Sequence, residues 1–223
     1  MTQLEPVIHI VDDDKSYRTA LARLMEASGF GVVTYGSGEE LLAHLPRSAP
    51  GCILLDLQMP GLSGLELQDR LTEKAPLLPI VFLTGRGDIT ASVRAMKAGA
   101  EDFLEKPAPR EALLEAVERA LLRSEIRRAE LDRVNALQAR LETLTPREFE
   151  VFGLIVRGKL NKQIAYDLGT SERTVKAHRH NVMEKLGVHS LAEAVSIAER
   201  LRLLDPTAKP PEDVHDAVRR TSP

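Results

Sequence analysis

The stretch ILLDLQMPG, residues 53–61, decides the fold. Ile53, Leu54, Leu55 and Leu57 are apolar, as in a strand buried on both faces. Asp56 interrupts that run, and Pro60 and Gly61 follow and end it. A carboxylate at the end of a buried strand costs free energy unless something pairs with it. The same pattern recurs on either side. VIHIV (7–11), VVTY (32–35), CILLDL (52–57), IVFLT (80–84) and DFLEK (102–106) are short and apolar. Helical patterns lie between them, around 15–28, 38–45, 64–74 and 89–98. Ser37 with Glu40, and Ser63 with Glu66, have the spacing of a capping box. Alternating strands and helices predict a doubly wound α/β fold, a five-stranded parallel sheet covered on both faces. Ligands of such sheets bind beyond the C-terminal strand ends.

The residues at those ends are polar. Asp12 and Asp13 follow the first strand, Asp56 ends the third, Thr84 ends the fourth and Lys106 ends the fifth. Three adjoining carboxylates repel unless a cation is shared among them. Oxygen ligands of this kind suit Mg²⁺, or Mn²⁺ in its place. With a lysine and a hydroxyl beside it, the group can stabilise a transferring phosphoryl. Asp56 is then the nucleophile and becomes an aspartyl phosphate. Asp12–Asp14 lack the spacing of a calcium loop. A phosphatase using a strand-end Asp would need a second Asp two residues on, where this chain has Gln58.

The 223 residues carry a net charge of −3, spread unevenly. Residues 1–108 carry −5 and residues 144–202 carry +3, which predicts two modules with different work. No apolar run is long enough to span a membrane, and the first residues lack a signal-peptide pattern. Cys52 is the single cysteine, so no internal disulfide forms. These features fit a cytoplasmic protein.

From Arg110 to Thr145 there is neither Gly nor Pro. A helix over this stretch would run about 35 residues, roughly 50 Å. Val134, Leu137, Leu141 and Leu144 have a/d spacing. The helix either packs this stripe on its own domain or serves as a stiff connector pairing with a second copy. Thr145, Pro146 and Glu148 make the next helix start. Helices follow at about 146–156, 161–168, 172–186 and 190–202. The second and third are joined by a tight turn at Gly169, with Ser171 as cap, the pattern of a helix-turn-helix. Ile164, Ala165, Leu168, Val175, Val182 and Leu186 make its apolar set. Lys176, Ala177, Arg179 and His180 are expected on its outward face, placed for the major groove. The Pro-rich stretch 205–223 is expected to be disordered. The boundaries expected are 1–122, a linker helix over 109–143, and 144–204.

These motifs resemble known families. VDDD (11–14), LLDLQMPG (54–61), FLTG (82–85) and DFLEKP (102–107) are similar to the receiver domain of two-component response regulators. LTPREFEV and GKLNKQIAYDLGTSERTVKAHRHNVMEKLGVHSLAEAV resemble the LuxR-type DNA-binding domain. Together they resemble a response regulator of the FixJ/NarL type. The resemblance implies that Asp56 accepts phosphate from a sensor histidine kinase. It implies Mg²⁺ held by Asp13, Asp56 and the Gln58 backbone carbonyl, with Asp12 helping through water. Thr84 and Lys106 would bind phosphoryl oxygens, Lys106–Pro107 would be cis, and Phe103 would be the aromatic switch. Gln58 and Arg86 would tune the phosphate's lifetime. Base contacts are implied for Lys176, Ala177 and His180, and phosphate contacts for Lys162, Arg173, Thr174 and Arg179. Partners implied are promoter DNA, a second copy on phosphorylation, and RNA polymerase, with no membrane. The resemblance implies no enzymatic turnover beyond the receiver's own phosphorylation and slow dephosphorylation. Departures are Phe at 103 where Tyr is commoner, Gly85 where many receivers have Ala, and His180 where several relatives have Lys.

Overall fold

The computed structural model describes residues 5–45, 50–85 and 89–204. Arg86 and the stretch 205–223 lie outside them, so the expectations placed there are not addressed. The chain divides into two compact units, Met1–Ala129 and Glu130–Pro223. The division falls inside a helix, later than the expected end of the first module at 122.

The first unit holds strands β1 (Val7–Val11), β2 (Gly31–Tyr35), β3 (Gly51–Asp56), β4 (Ile80–Thr84) and β5 (Asp102–Glu105). All pair in parallel, in the order β2-β1-β3-β4-β5. The central strands β3 and β4 are buried at every residue, while edge strands β2 and β5 are partly exposed. That is why the central strands read as apolar runs up to their C-terminal residues, Asp56 and Thr84.

Helices α1 (Lys15–Ala27) and the first part of α5 (Arg110–Glu142) cover one face. Leu21 and Met25 there meet Ile8, Ile10, Leu54, Leu113 and Val117. Helices α2 (Gly38–His44), α3 (Gly64–Lys74) and α4 (Ile89–Lys97) cover the other. Leu41, Leu67, Leu71 and Ala95 there meet Val11, Ile53, Leu55 and Phe82. Each helix begins or ends within two residues of its expected position.

Of the two predicted capping boxes in this unit, one closes. Ser63 accepts from the Glu66 N–H, and Glu66 accepts from the Ser63 N–H at 2.9 Å. At α2, Ser37 caps Glu40, but the Glu40 carboxylate takes the Gly36 N–H at 2.6 Å instead. The spacing was right, but the carboxylate's better donor lay one residue further back.

The second unit holds the end of α5 with α6 (Pro146–Ile155), α7 (Asn161–Asp167), α8 (Glu172–Leu186) and α9 (Leu191–Arg200). Leu137, Leu141 and Leu144 pack against Phe152, Val182, Leu186 and Ala194. Within one chain, then, three of the four a/d residues are used in their own unit, which is the plainer of the two readings. The Thr145–Glu148 box closes as expected. The predicted apolar set is buried or nearly so but serves two clusters. Ile164, Ala165 and Val175, with Leu168, join Val151 and Ile155, while Val182 and Leu186 join the Phe152 cluster. Gly169 has φ +60°, the left-handed conformation its turn requires.

Candidate phosphoryl-acceptor and nucleic-acid sites

Strand register assembles the first site. Val11 pairs with Leu55, Asp56 with Leu83, and Thr84 with Glu105. The residues next in line, Asp12, Asp56, Thr84 and Lys106, therefore end at nearly one level. Asp12 is fully buried and Asp56 is 6% exposed, while Asp13 is exposed. One carboxylate oxygen of each lies within 4.8 Å of the others. Three carboxylate oxygens at that spacing are compatible with a hard divalent cation that takes oxygen ligands.

Lys106 binds the pair of buried acids. Its Nζ donates to Asp12 Oδ2 at 2.6 Å and lies 3.1 Å from Asp56 Oδ1. Burial pushes the Asp56 carboxyl above its ordinary range, against the pull of Lys106. Burial also works against the Lys106 ammonium, but its bonds to Asp12 and Asp56 outweigh that and raise its pKa. A carboxylate held this way is desolvated and positioned, as a nucleophile needs.

The remaining contacts are local. Asp12 Oδ1 accepts the Asp14 N–H at 2.9 Å, and Arg18 donates to the Asp12 carbonyl. Gln58 N–H points to Asp56 Oδ1 at 3.4 Å. Gly64 packs α3 against the end of β3. A Cβ there would meet Asp56 O at 2.5 Å and Leu57 Cα at 2.9 Å, both backbone atoms. Lys106–Pro107 is cis. Thr84 is buried, and its hydroxyl donates to Gly85 O at 2.9 Å rather than to Asp56. Phe103 is half-buried, its ring 6.2 Å from that of Phe82.

Sequence reading missed Tyr17 and Arg18 at this site. Tyr17 lies under the lysine, its ring centroid 4.7 Å from Nζ. Position alone offered a signal: both follow the Asp14 cap within the first turn of α1.

The second site is the surface of α7 and α8. Ser171 Oγ accepts the Thr174 N–H at 3.1 Å and starts α8, with Val175 buried beneath. Lys162, Arg173, Thr174, Lys176, Ala177 and His180 are exposed. Arg179 is half-buried, not fully outward as expected, because helical periodicity turns it toward the packed side of α8. Thr174 Oγ1 is also 2.9 Å from Ser171 Oγ. His180 Nε2 lies 3.9 Å from the Glu184 carboxylate.

Glu148 holds α8 in place. It is 3% exposed and accepts from Lys185 Nζ of α8 at 2.6 Å. Lys185, and then the Thr145 cap, hold its carboxyl down at about 2. Lys185 also donates to Thr143 O at 3.1 Å. Sequence reading placed Glu148 only in the capping box, since nothing local marks a partner 37 residues away.

Comparison with known proteins matches the two modules that carry these sites. Residues 8–118 match the response regulator receiver domain, and residues 142–198 match the bacterial regulatory proteins of the luxR family. The chain is 43% identical over 202 residues to the response regulator protein TodT of Pseudomonas putida, covering 91% of this chain and 89% of that one. It is 43% identical over 191 residues to the transcriptional regulatory protein FixJ of Rhizobium meliloti, covering 86% and 94%. Among solved structures, the response regulator StyR is 46% identical with a TM-score of 0.76, covering 88% of this chain and 99% of that one. Full-length FixJ from B. japonicum is 37% identical with a TM-score of 0.55, covering 90% and 98%. A parallel sheet ending in an acid cluster with a lysine, followed by a helix-turn-helix, thus agrees with sequence likeness along most of the chain: it belongs to the two-component response regulators of the FixJ/NarL type, with a receiver domain and a LuxR-type DNA-binding domain that serve transcription regulation.

Proposed function

We propose that this chain is a phosphorylation-controlled transcription factor whose phosphoacceptor is Asp56. The observation that carries the reading is Asp56 buried beside Asp12 and Asp13 and bonded to Lys106. A sensor histidine kinase supplies the phosphoryl group. An Asp56 oxygen bonds to phosphorus as the donor's P–N bond breaks, and the departing histidine nitrogen keeps the electron pair and takes up a proton. Asp13, Asp56 and the Gln58 carbonyl would hold Mg²⁺ or Mn²⁺, with Asp12 through water. When bound, the ion would supply positive charge to the phosphoryl oxygens. Lys106 supplies a second positive charge, and the Thr84 hydroxyl turns from Gly85 O toward the phosphoryl group.

The added charge then draws Thr84 and Lys106 together, and Phe103 follows inward. The face of α4, β5 and α5 changes, and two copies pair there. Val93 and Met96 of α4, 47% and 46% exposed, give that face apolar area to bury. The dimer binds promoter DNA with one α8 per half-site, about one helical turn apart. Lys176, Ala177 and His180 meet base edges, and Lys162, Arg173, Thr174 and Arg179 meet phosphates. RNA polymerase is the next partner. The modules are a receiver over 1–122, a linker helix over 109–143 and a DNA-binding domain over 144–204. The protein works in the cytoplasm. It turns over no substrate beyond its own phosphoryl group.

The test is intact mass after incubation with acetyl phosphate and Mg²⁺, with size-exclusion on the same samples. Wild type gains one phosphoryl group and shifts to a dimer, and Asp56→Asn does neither. If wild type gains no mass, Asp56 is not an acceptor, and regulation without phosphorylation takes this reading's place.

A further inference from the structure

Lys106 has a third neighbour besides Asp12 and Asp56. Its Nζ lies 4.7 Å from the centre of the Tyr17 ring. A lysine ammonium has three N–H donors. Contacts at 2.6 Å to Asp12 and 3.1 Å to Asp56 account for two of its directions, and the aromatic ring lies beside it as well. A ring face attracts a cation at this distance.

The ring is held in place from several sides. Asp14 accepts the Ser16 and Tyr17 N–H groups at 2.8 and 3.2 Å, which fixes the start of α1. The ring packs with Ala108 against the cluster of Leu54, Leu83 and Leu113. Next to it, Arg18 donates to the Asp12 carbonyl. One short turn therefore carries both the acid pocket and the aromatic surface.

The lysine stem is long and flexible. Its contact with Asp56 must rearrange once an Asp56 oxygen is bonded to phosphorus. The Tyr17 ring takes no part in that chemistry and can stay where it is.

We propose that Tyr17 is a positioning residue, whose ring face holds the Lys106 ammonium at the strand ends so that it meets a phosphoryl group on Asp56. This rests on the reading of Asp56 as phosphoacceptor and adds a residue to it. Tyr17→Phe keeps the ring and removes the hydroxyl. Tyr17→Leu removes the ring and keeps an apolar side chain.

Two measurements on the full chain test it. In proton NMR without a phosphodonor, the Lys106 ε-methylene protons are shifted upfield by the ring in wild type and Tyr17→Phe. In Tyr17→Leu they return to ordinary lysine values. With acetyl phosphate and Mg²⁺, wild type and Tyr17→Phe gain the phosphoryl group at the same rate. Tyr17→Leu is slower by about three- to tenfold, the size of a partly buried cation–π contact. Equal rates in all three proteins, or an unshifted Lys106 in wild type, overturn the proposal. So does equal slowing of Tyr17→Phe and Tyr17→Leu, which would assign the effect to the hydroxyl. If wild type gains no phosphoryl group, the Asp56 reading fails and takes this one with it. Normal wild-type phosphorylation beside an unaffected Tyr17→Leu overturns the role of Tyr17 alone.

Discussion

The receiver site and the DNA-binding surface treat charge in opposite ways. In the receiver, Asp12 and Asp56 are buried and bonded to one lysine. On α7 and α8, Lys162, Arg173 and Lys176 stand in solvent. The one buried acid among the described residues of the second unit, Glu148, lies behind that surface and bonds to Lys185. Burial makes a carboxylate reactive and dependent on its neighbours. Exposure lets a cation meet a polyanion at little cost in desolvation. A switch needs the first property and a nucleic-acid surface needs the second.

Five substitutions probe that contrast, from the largest effect to the smallest. Asp56→Asn removes phosphoryl gain completely in the mass measurement. Because the units are separate compact bodies, it leaves the binding of unphosphorylated protein to a non-specific duplex unchanged. A loss of that basal binding would break the comparison.

Gly64→Ala comes next. Its Cβ meets backbone at 2.5 and 2.9 Å, so α3 must move away from the end of β3. The receiver loses about 1–3 kcal/mol of stability, typical of overpacking, as read by urea denaturation. Phosphoryl gain slows with it. An unchanged urea midpoint would mean that α3 shifts without strain.

Glu148→Gln weakens the ion pair and the cap behind α8. It costs the second unit about 1–2 kcal/mol, the scale of a lost cap together with a charged hydrogen bond. DNA binding weakens while phosphorylation rates stay as in wild type. The pH dependence has a definite sign. The Glu148 carboxyl sits at about 2 in the folded chain against an ordinary value of 4.5. Its stabilisation is therefore complete above pH 4.5 and is lost as pH falls from 4.5 toward 2. In Glu148→Gln this part of the acid unfolding curve flattens.

The smallest effects fall on single cations. Lys176→Ala costs about 1 kcal/mol at one promoter position, the low end for a base contact, and relaxes the base preference there. Arg173→Ala weakens binding to all sequences alike and lowers the salt slope by about one. If Arg173→Ala instead changed base preference, the division between phosphate and base contacts would need redrawing.

Much of this is legible in the sequence. β1, β3 and β4 read as strands because nearly all their residues are buried and apolar, with His9 inside β1 the polar exception. Asp56 stood out because it breaks that rule at a strand end. The helix-turn-helix was readable from caps and glycines. What was missed turned on choices that local pattern and spacing leave open. Glu40 chose Gly36 over Ser37. Arg179 turned half inward. The leucine stripe of α5 could serve its own unit or a second copy by spacing alone, and packing against Phe152 and Leu186 is what it does within the chain.

The sequence by itself determined the element order, the strand ends that carry Asp12, Asp56, Thr84 and Lys106, and the helix-turn-helix. Hydrophobic period and capping chemistry are local, and they act wherever the chain folds. Only the tertiary structure decided that Lys106 spans Asp12 and Asp56, that Tyr17 lies beneath it, and that Glu148 holds Lys185. Those contacts join residues up to 94 apart, and strand register and helix packing set their distances.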